Sequence, residues 1–349
     1  MSPLDRLPPL ATTGVGSLPF VDPHAAVRHA TRAYGVPFCP QLPRVDGDMV
    51  REWLGAEWSR TPCGWTTERD RERPAAWDAF VAAVAPAGSG ARGPAAGGDA
   101  VAGDARDARA VAGRDAPEHG IVKLQATGPV TLAVAMERAA GRSGVGRDVV
   151  ALAHEVAAWM ASNVAGQVAR LRELDLDVLL VVDEPGLAHA AIGPSDVGTA
   201  VDATVWDPLR GTAAAWGLHV CSEIPWGLVR AAEPDVISFD ATRYAVGGAG
   251  AEVLAELVAR GTRIAWGAVD PVRPDAAFDV ASRVAAGVGA ITATGASVEA
   301  LVAHSLMTPS CGTGRLAPDR ERLVASVLDA GAAAVAATWR SSPRVGVRR

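Results

Sequence analysis

Short apolar runs alternate with longer amphipathic stretches along the whole chain, and this β-then-α repetition is what a chain wound around a parallel sheet requires. Eight runs read as strands: Thr12–Ser17, Pro37–Gln41, Ile121–Ala126, Val178–Val182, Gly217–Cys221, Val236–Asp240, Arg263–Gly267 and His304–Thr308. Eight is the number that closes such a sheet on itself. The expected fold is therefore α/β, a TIM (β/α)8 barrel forming a single domain over residues 10–340, with residues 1–9 and 341–349 as flexible tails. Helical patterns fill the gaps at Asp22–Tyr34, Asp148–Leu174, Pro194–Ala215, Gly250–Arg260, Asp275–Gly287 and Pro318–Trp339. Asp22-Pro23, Pro274-Asp275 and Pro318-Asp319 mark helix starts, since proline suits the first turn and a carboxylate suits its positive end.

Ala83–Glu118 breaks the pattern. It is almost wholly Ala, Gly, Asp, Arg, Val and Pro, without an aromatic residue or a periodic apolar face. Such a segment cannot offset the entropy of ordering and reads as a disordered insertion between strands 2 and 3. Apolar runs elsewhere stop short of the ~18 residues of a membrane span, and Met1–Leu10 has no apolar core of the kind a secretory signal needs. A cytoplasmic protein with no membrane partner is expected. A net charge of -6 without a basic cluster before the last residues argues against nucleic acid and for a small-molecule ligand. Four widely spaced cysteines, Cys39, Cys63, Cys221 and Cys311, favour free thiols or metal ligands over a disulfide frame. Lys123 is the only lysine.

Chemistry concentrates around His219-Val220-Cys221. In a strand, the period of two puts His219 and Cys221 on one face, where an imidazole and a thiolate can reach one ion. Cys311, in a Pro-Ser-Cys-Gly turn after the last strand, offers a second sulfur, and Asp240, at the end of the next strand, is the nearest acid able to complete a zinc shell. An open or displaceable position would let a substrate thiol bind with its pKa lowered. The alternative is a buried core cysteine beside a hydrogen-bonded histidine. Asp183 and Glu184 follow a buried-strand run and lie at the rim where barrel enzymes keep their sites, either of them able to hold a substrate ammonium or, alternatively, to cap a helix. Gly14-Val15-Gly16-Ser17 closes the first strand, where Gly16 lets backbone N–H groups approach an anion such as a carboxylate and Ser17 adds a hydroxyl.

Thr12-Thr13-Gly14-Val15-Gly16-Ser17-Leu18-Pro19, Asp48-Met49-Val50, Thr127-Gly128-Pro129-Val130-Thr131, Asp183-Glu184-Pro185, His219-Val220-Cys221, Asp235-Val236-Ile237-Ser238 and Pro309-Ser310-Cys311-Gly312 stand in that order. Together they make the chain resemble the catalytic barrel of cobalamin-independent methionine synthase, and in particular its short single-barrel relatives. The resemblance implies a methyltransferase that moves a methyl group to the thiol of homocysteine or a similar small thiol. It implies zinc held by His219, Cys221, Asp240 and Cys311, Ser17 at the substrate carboxylate, and Asp183 as the catalytic residue at the substrate ammonium; Gly16 and Glu184 join them as substrate-binding residues on the loop and rim reading above. The methyl donor it implies is a methyl-folate or a methylcobalamin-bearing protein.

Three positions depart from the family. Asp240 stands where the family has glutamate, Leu42-Pro43-Arg44 supplies no second ammonium-binding acid, and Val272 stands at the catalytic histidine. These departures keep two other readings open: a catalytically reduced relative that binds a thiol or metal, and a barrel of the uroporphyrinogen decarboxylase type without metal.

Overall fold

Helix starts form where the sequence places a capping acid beside a proline. In the computed structural model, which describes residues 2–55, 58–61, 64–67, 74–86, 117–139, 147–188 and 201–341, the helix Pro23–Arg32 opens on a residue whose missing N–H would have had no partner there. Asp22 then accepts from His24 N at 3.0 Å and Ala25 N at 3.1 Å. Asp48 caps the helix Met49–Leu54 in the same way, accepting from Val50 N and Arg51 N.

The strands are β1 Ala11–Thr12, β2 Trp58–Thr61, β3 Gly64–Thr67, β4 Ile121–Thr127, β5 Asp177–Asp183, β6 Ala215–Val220, β7 Val236–Asp240, β8 Arg263–Val269 and β9 Ser305–Pro309. Seven of them form one curled parallel sheet in the order β1-β9-β8-β7-β6-β5-β4, consistent with a TIM-like barrel. β2 and β3 make a separate antiparallel hairpin that the sequence patterning did not anticipate. The expected second strand, Pro37–Gln41, lies between the sheet's outer strands without being a regular strand. On one side Val36 N donates to Thr12 O at 2.8 Å and Gln41 N to Gly16 O at 3.1 Å. On the other, Lys123 N donates to Pro37 O at 2.8 Å and Cys39 N to Lys123 O at 3.0 Å. Pro37 and Pro40 have no N–H to give, so the ladder is reduced to isolated bridges at Phe38 and Gln41.

Other boundaries shift for local reasons. The expected helix Pro194–Ala215 lies partly outside the described residues. Its remainder is a 3-10 turn at Ala203–Trp206 and one helical turn at Asp207–Arg210, and Ala215 already belongs to β6. Ala83 and Val84, assigned from sequence to the insertion, end the helix Trp77–Val84, in which Val84 is buried. Residues 87–116 of that insertion lie outside the described residues. The helix Pro318–Ser341 reaches the length and apolarity of a membrane span over Pro318–Arg340, against the expectation of shorter runs. Its Val324, Leu328 and Val335 are buried in the core cluster that the outer helices share with the sheet.

Two apolar clusters result. The larger lies between the helices and the sheet's outer face. The smaller, including Leu4, Leu7, Ile121, Leu179, Val236 and Leu306, fills the sheet's concave side at its N-terminal end, where the turn Pro3–Arg6 closes it. Burying a leucine such as Leu179, 2 % exposed, contributes roughly 2 kcal/mol.

Candidate functional site

Period two carries the same faces upward from that apolar floor. Beyond Ile121 on β4 come Lys123 and Gln125; beyond Leu179 and Val181 on β5 comes Asp183; beyond Val236 on β7 comes Ser238. Register sets Asp183 opposite His219 on β6, and His219 opposite Ser238. His219 is 2 % exposed, and its Nδ1 lies 2.9 Å from Ser238 Oγ. This contact fixes the ring. Among the described residues no hydrogen bond of ordinary geometry reaches the buried Nε2.

Cys221 is the first residue past β6 and is half-buried, whereas Cys311 follows β9 on an exposed turn. The two thiols and the imidazole form one electrostatic unit. Hydrogen bonding from Cys221, then from His219, pulls the Cys311 thiol down to about 4, while the neighbouring Cys311 sulfur and burial push the Cys221 thiol well up. The two opposed shifts favour one proton shared between the two sulfurs. Cys39 behaves as a core residue, its thiol pushed up by complete burial.

Asp183 joins this unit. Burial raises its carboxyl to about 6, opposed by the nearby His219 and Lys123 and by a hydrogen bond that Gln125 Nε2 donates to Oδ1. Lys123, 3 % exposed, donates to Val15 O at 2.6 Å and to Gln125 Oε1. Burial pushes its amine down to about 7, with Asp183 opposing. Neither Lys123 nor Gln125 was expected at the site. Their spacing of two on a predicted strand, together with the singularity of the lysine, is the signal that points to them. Beneath them a cavity of about 20 Å³, with room for about one water, is bounded by Lys123, Gln125, His219, Ser238 and Thr308.

The predicted anion loop also arrives here. A Cβ on Gly16 would stand 2.8 Å from Gln125 Cγ and from Gln41 Oε1, and a Cβ on Gly312 would stand 2.0 Å from Ser17 Oγ. Ser17 therefore lies directly over the residue that follows Cys311, and Thr313 N holds it there by donating to Ser17 O at 3.0 Å. Gly16, Ser17, Asp183, His219, Cys221 and Cys311 are brought to one end of the sheet.

Two expected site residues are occupied elsewhere. Glu184, completely buried, accepts from Val130 N at 3.1 Å, Thr131 N at 2.8 Å, Thr131 Oγ1 at 2.7 Å and Trp206 Nε1 at 3.0 Å. It caps the helix Pro129–Ala139, the alternative to a substrate contact that the sequence left open for it. Gly128 makes room for it, since a Cβ there would meet Glu184 Cδ at 2.0 Å. Asp240 uses Oδ1 to hold the turn after β7, accepting from Thr242 N at 2.9 Å, Thr242 Oγ1 at 2.5 Å and Arg243 N at 3.2 Å. Among the described residues no three His, Cys, Asp or Glu side chains stand in metal-holding geometry. The donor chemistry still fits zinc: two sulfurs, one inclined towards the thiolate, and a buried imidazole Nε2 that faces Cys311 without a hydrogen bond of ordinary geometry. Val272, where the resemblance led a histidine to be expected, is 61 % exposed in a turn whose Asp270 Oδ1 accepts from Val272 N at 2.8 Å.

The sequence matches no protein-family model and no curated protein. Among solved structures the chain is similar to a B12-independent methionine synthase from Shewanella sp. W3-18-1 in complex with selenomethionine. The TM-score is 0.57 and the identity 13%, over 96% of this chain and 100% of that one. A methyltransferase from Methanosarcina mazei matches with a TM-score of 0.44 and 11% identity, over 94% of this chain and 96% of that one. The first likeness is one of fold.

Proposed function

We propose that the sheet is a closed eight-stave barrel, with residues 36–41 as the second stave, and that its rim transfers a methyl group to the thiol of homocysteine or a similar small thiol. The observation that carries the reading is the meeting of Cys221, Cys311 and His219 beside Asp183 and Ser17. His219, Cys221 and Cys311 would hold zinc, with Ser238 keeping the imidazole turned so that Nε2 is the ligating nitrogen. Bound zinc would lower the pKa of a coordinated substrate thiol and so supply the nucleophile at neutral pH. The chain's own residues orient the rest of the substrate. Ser17 Oγ and the backbone around Gly16 take the carboxylate, Asp183 takes the ammonium, and together they align the thiol for in-line attack on a methyl donor, a methyl-folate or a methylcobalamin-bearing protein.

Metal analysis of purified protein combined with a methylation assay across both donor classes tests this. One equivalent of zinc is expected in the wild type, and Cys221→Ser and Cys311→Ser should each lose most of it. Wild-type protein without stoichiometric zinc, or variants that retain it, would sink the proposal. The exposed Val272 favours a second reading, a thiol- and metal-binding relative without turnover. Homocysteine binding with no methionine formed from any donor would select it.

A further inference from the structure

The chain's single lysine is buried inside the sheet with no ligand role in the proposed chemistry, and its contacts run in one direction. Lys123 Nζ donates to Val15 O and to Gln125 Oε1, and Gln125 Nε2 donates to Asp183 Oδ1. The orientation of the Gln125 amide has no freedom. A lysine nitrogen flanked by two acceptors gives protons, and a carboxylate only receives them, so the amide oxygen must face Lys123 and its NH2 must face Asp183. Lys123 fills this role as ammonium or as free amine, because both carry N–H donors. Among the described residues no hydrogen bond reaches Asp183 Oδ2. The same lysine, through Val15 O, ties the segment that leads into Gly16 and Ser17 to this relay.

Resting on the amino-acid reading of the site, we infer that Lys123 is a positioning residue: through Gln125 it pins Asp183 Oδ1 and leaves Oδ2 turned to a ligand's ammonium group, so that the pocket selects an α-amino thiol over its amine-free analogue. Removing Lys123 frees the Gln125 amide to flip and present its oxygen to the carboxylate, which repels it and lets Asp183 turn away.

The test uses full-length protein with Lys123→Met and Gln125→Met, each close in length to the residue replaced and lacking its donors, and the double variant. Calorimetry compares L-homocysteine with 4-mercaptobutyrate, which keeps the thiol and carboxylate and lacks the amine. Each single variant should bind homocysteine about tenfold more weakly, with 4-mercaptobutyrate unchanged, and the double variant should lose no more than either single, because the two residues act in series. Additive losses, or equal losses for both ligands, would overturn the inference. Hydrogen exchange of the Gln125 side-chain amide, followed by NMR, decides the relay without any ligand. Exchange at least about tenfold faster in Lys123→Met supports it, and unchanged exchange overturns it. Wild-type protein that binds both thiols alike, with the amide still protected by Lys123, would instead count against the amino-acid reading of the site.

Discussion

At the N-terminal end of the sheet, Leu4, Leu7, Ile121, Leu179 and Val236 close the interior with side chains that carry no polar atoms, whereas two to four residues further along the same strands the interior holds Lys123, Gln125, Asp183 and Ser238. The backbone is the same in both places and so is the inward face. Only residue type changes. The floor gains stability from apolar burial, while the rim keeps buried ionisable groups that burial alone disfavours. Adjacent acids repeat the contrast in miniature: Glu184 is saturated by donors and belongs to the fold, and Asp183, held through one oxygen, belongs to the site.

Substitutions at the floor should strike stability and spare ligand binding, and those at the rim should do the reverse. Leu179→Ala is expected to have the largest effect, lowering unfolding free energy by about 4 kcal/mol in urea titrations while zinc content stays at the wild-type level. A floor variant that loses metal while still folded would erase the distinction. Glu184 gives the next effect. Its folded carboxyl is raised from 4.5 to about 7, chiefly by burial. The folded state therefore holds the proton more tightly than the unfolded chain. The stability this contributes is complete below pH 4.5 and is lost as pH rises to about 7. Wild-type protein should lose about 3 kcal/mol relative to Glu184→Gln across that window. A pH-independent difference would show that Glu184 is charged throughout.

Ser238→Ala removes the partner of His219 Nδ1. It should weaken zinc retention about tenfold in a chelator competition and lower stability by only about 1 kcal/mol. Smallest in stability is Val272→His, expected to change unfolding free energy by less than about 0.5 kcal/mol because the side chain is exposed. A gain in methyl-transfer rate from this change alone would place the missing proton donor there. No gain would favour the reading without turnover.

Most of the sheet was legible because its strands are buried on both faces and read as apolar runs, Val178–Val182 being the clearest. The hairpin Trp58–Thr61 and Gly64–Thr67 left no such trace, since its Ser, Arg and Thr residues neither alternate nor run apolar. Within the site, His219 and Cys221 announced themselves by spacing and Cys311 by its turn. For Glu184 the sequence left a helix cap and a substrate contact open, and for Asp240 it pointed only to a metal. Glu184 is claimed by Val130, Thr131 and Trp206, partners that only the folded chain brings near, and Asp240 is claimed by Thr242 and Arg243 in a turn that any strand-end aspartate can adopt or decline. Lys123 and Gln125 stand two apart in the sequence, and what they do depends on Asp183, which lies 58 residues beyond Gln125.

Thr313 donates to Ser17 O across 296 residues of sequence, and Gly312 carries no side chain so that Ser17 can lie against it. The pocket thus joins segments as far apart in sequence as Ser17 and Thr313. During synthesis Cys311 must leave the ribosome before it can reach Ser17, Cys221 and His219, and a contact of such span forms late because the intervening chain must first be gathered in. Prematurely terminated copies would carry much of the scaffold but no complete pocket. If the pocket holds zinc as proposed, its loading would report that translation had run past Cys311.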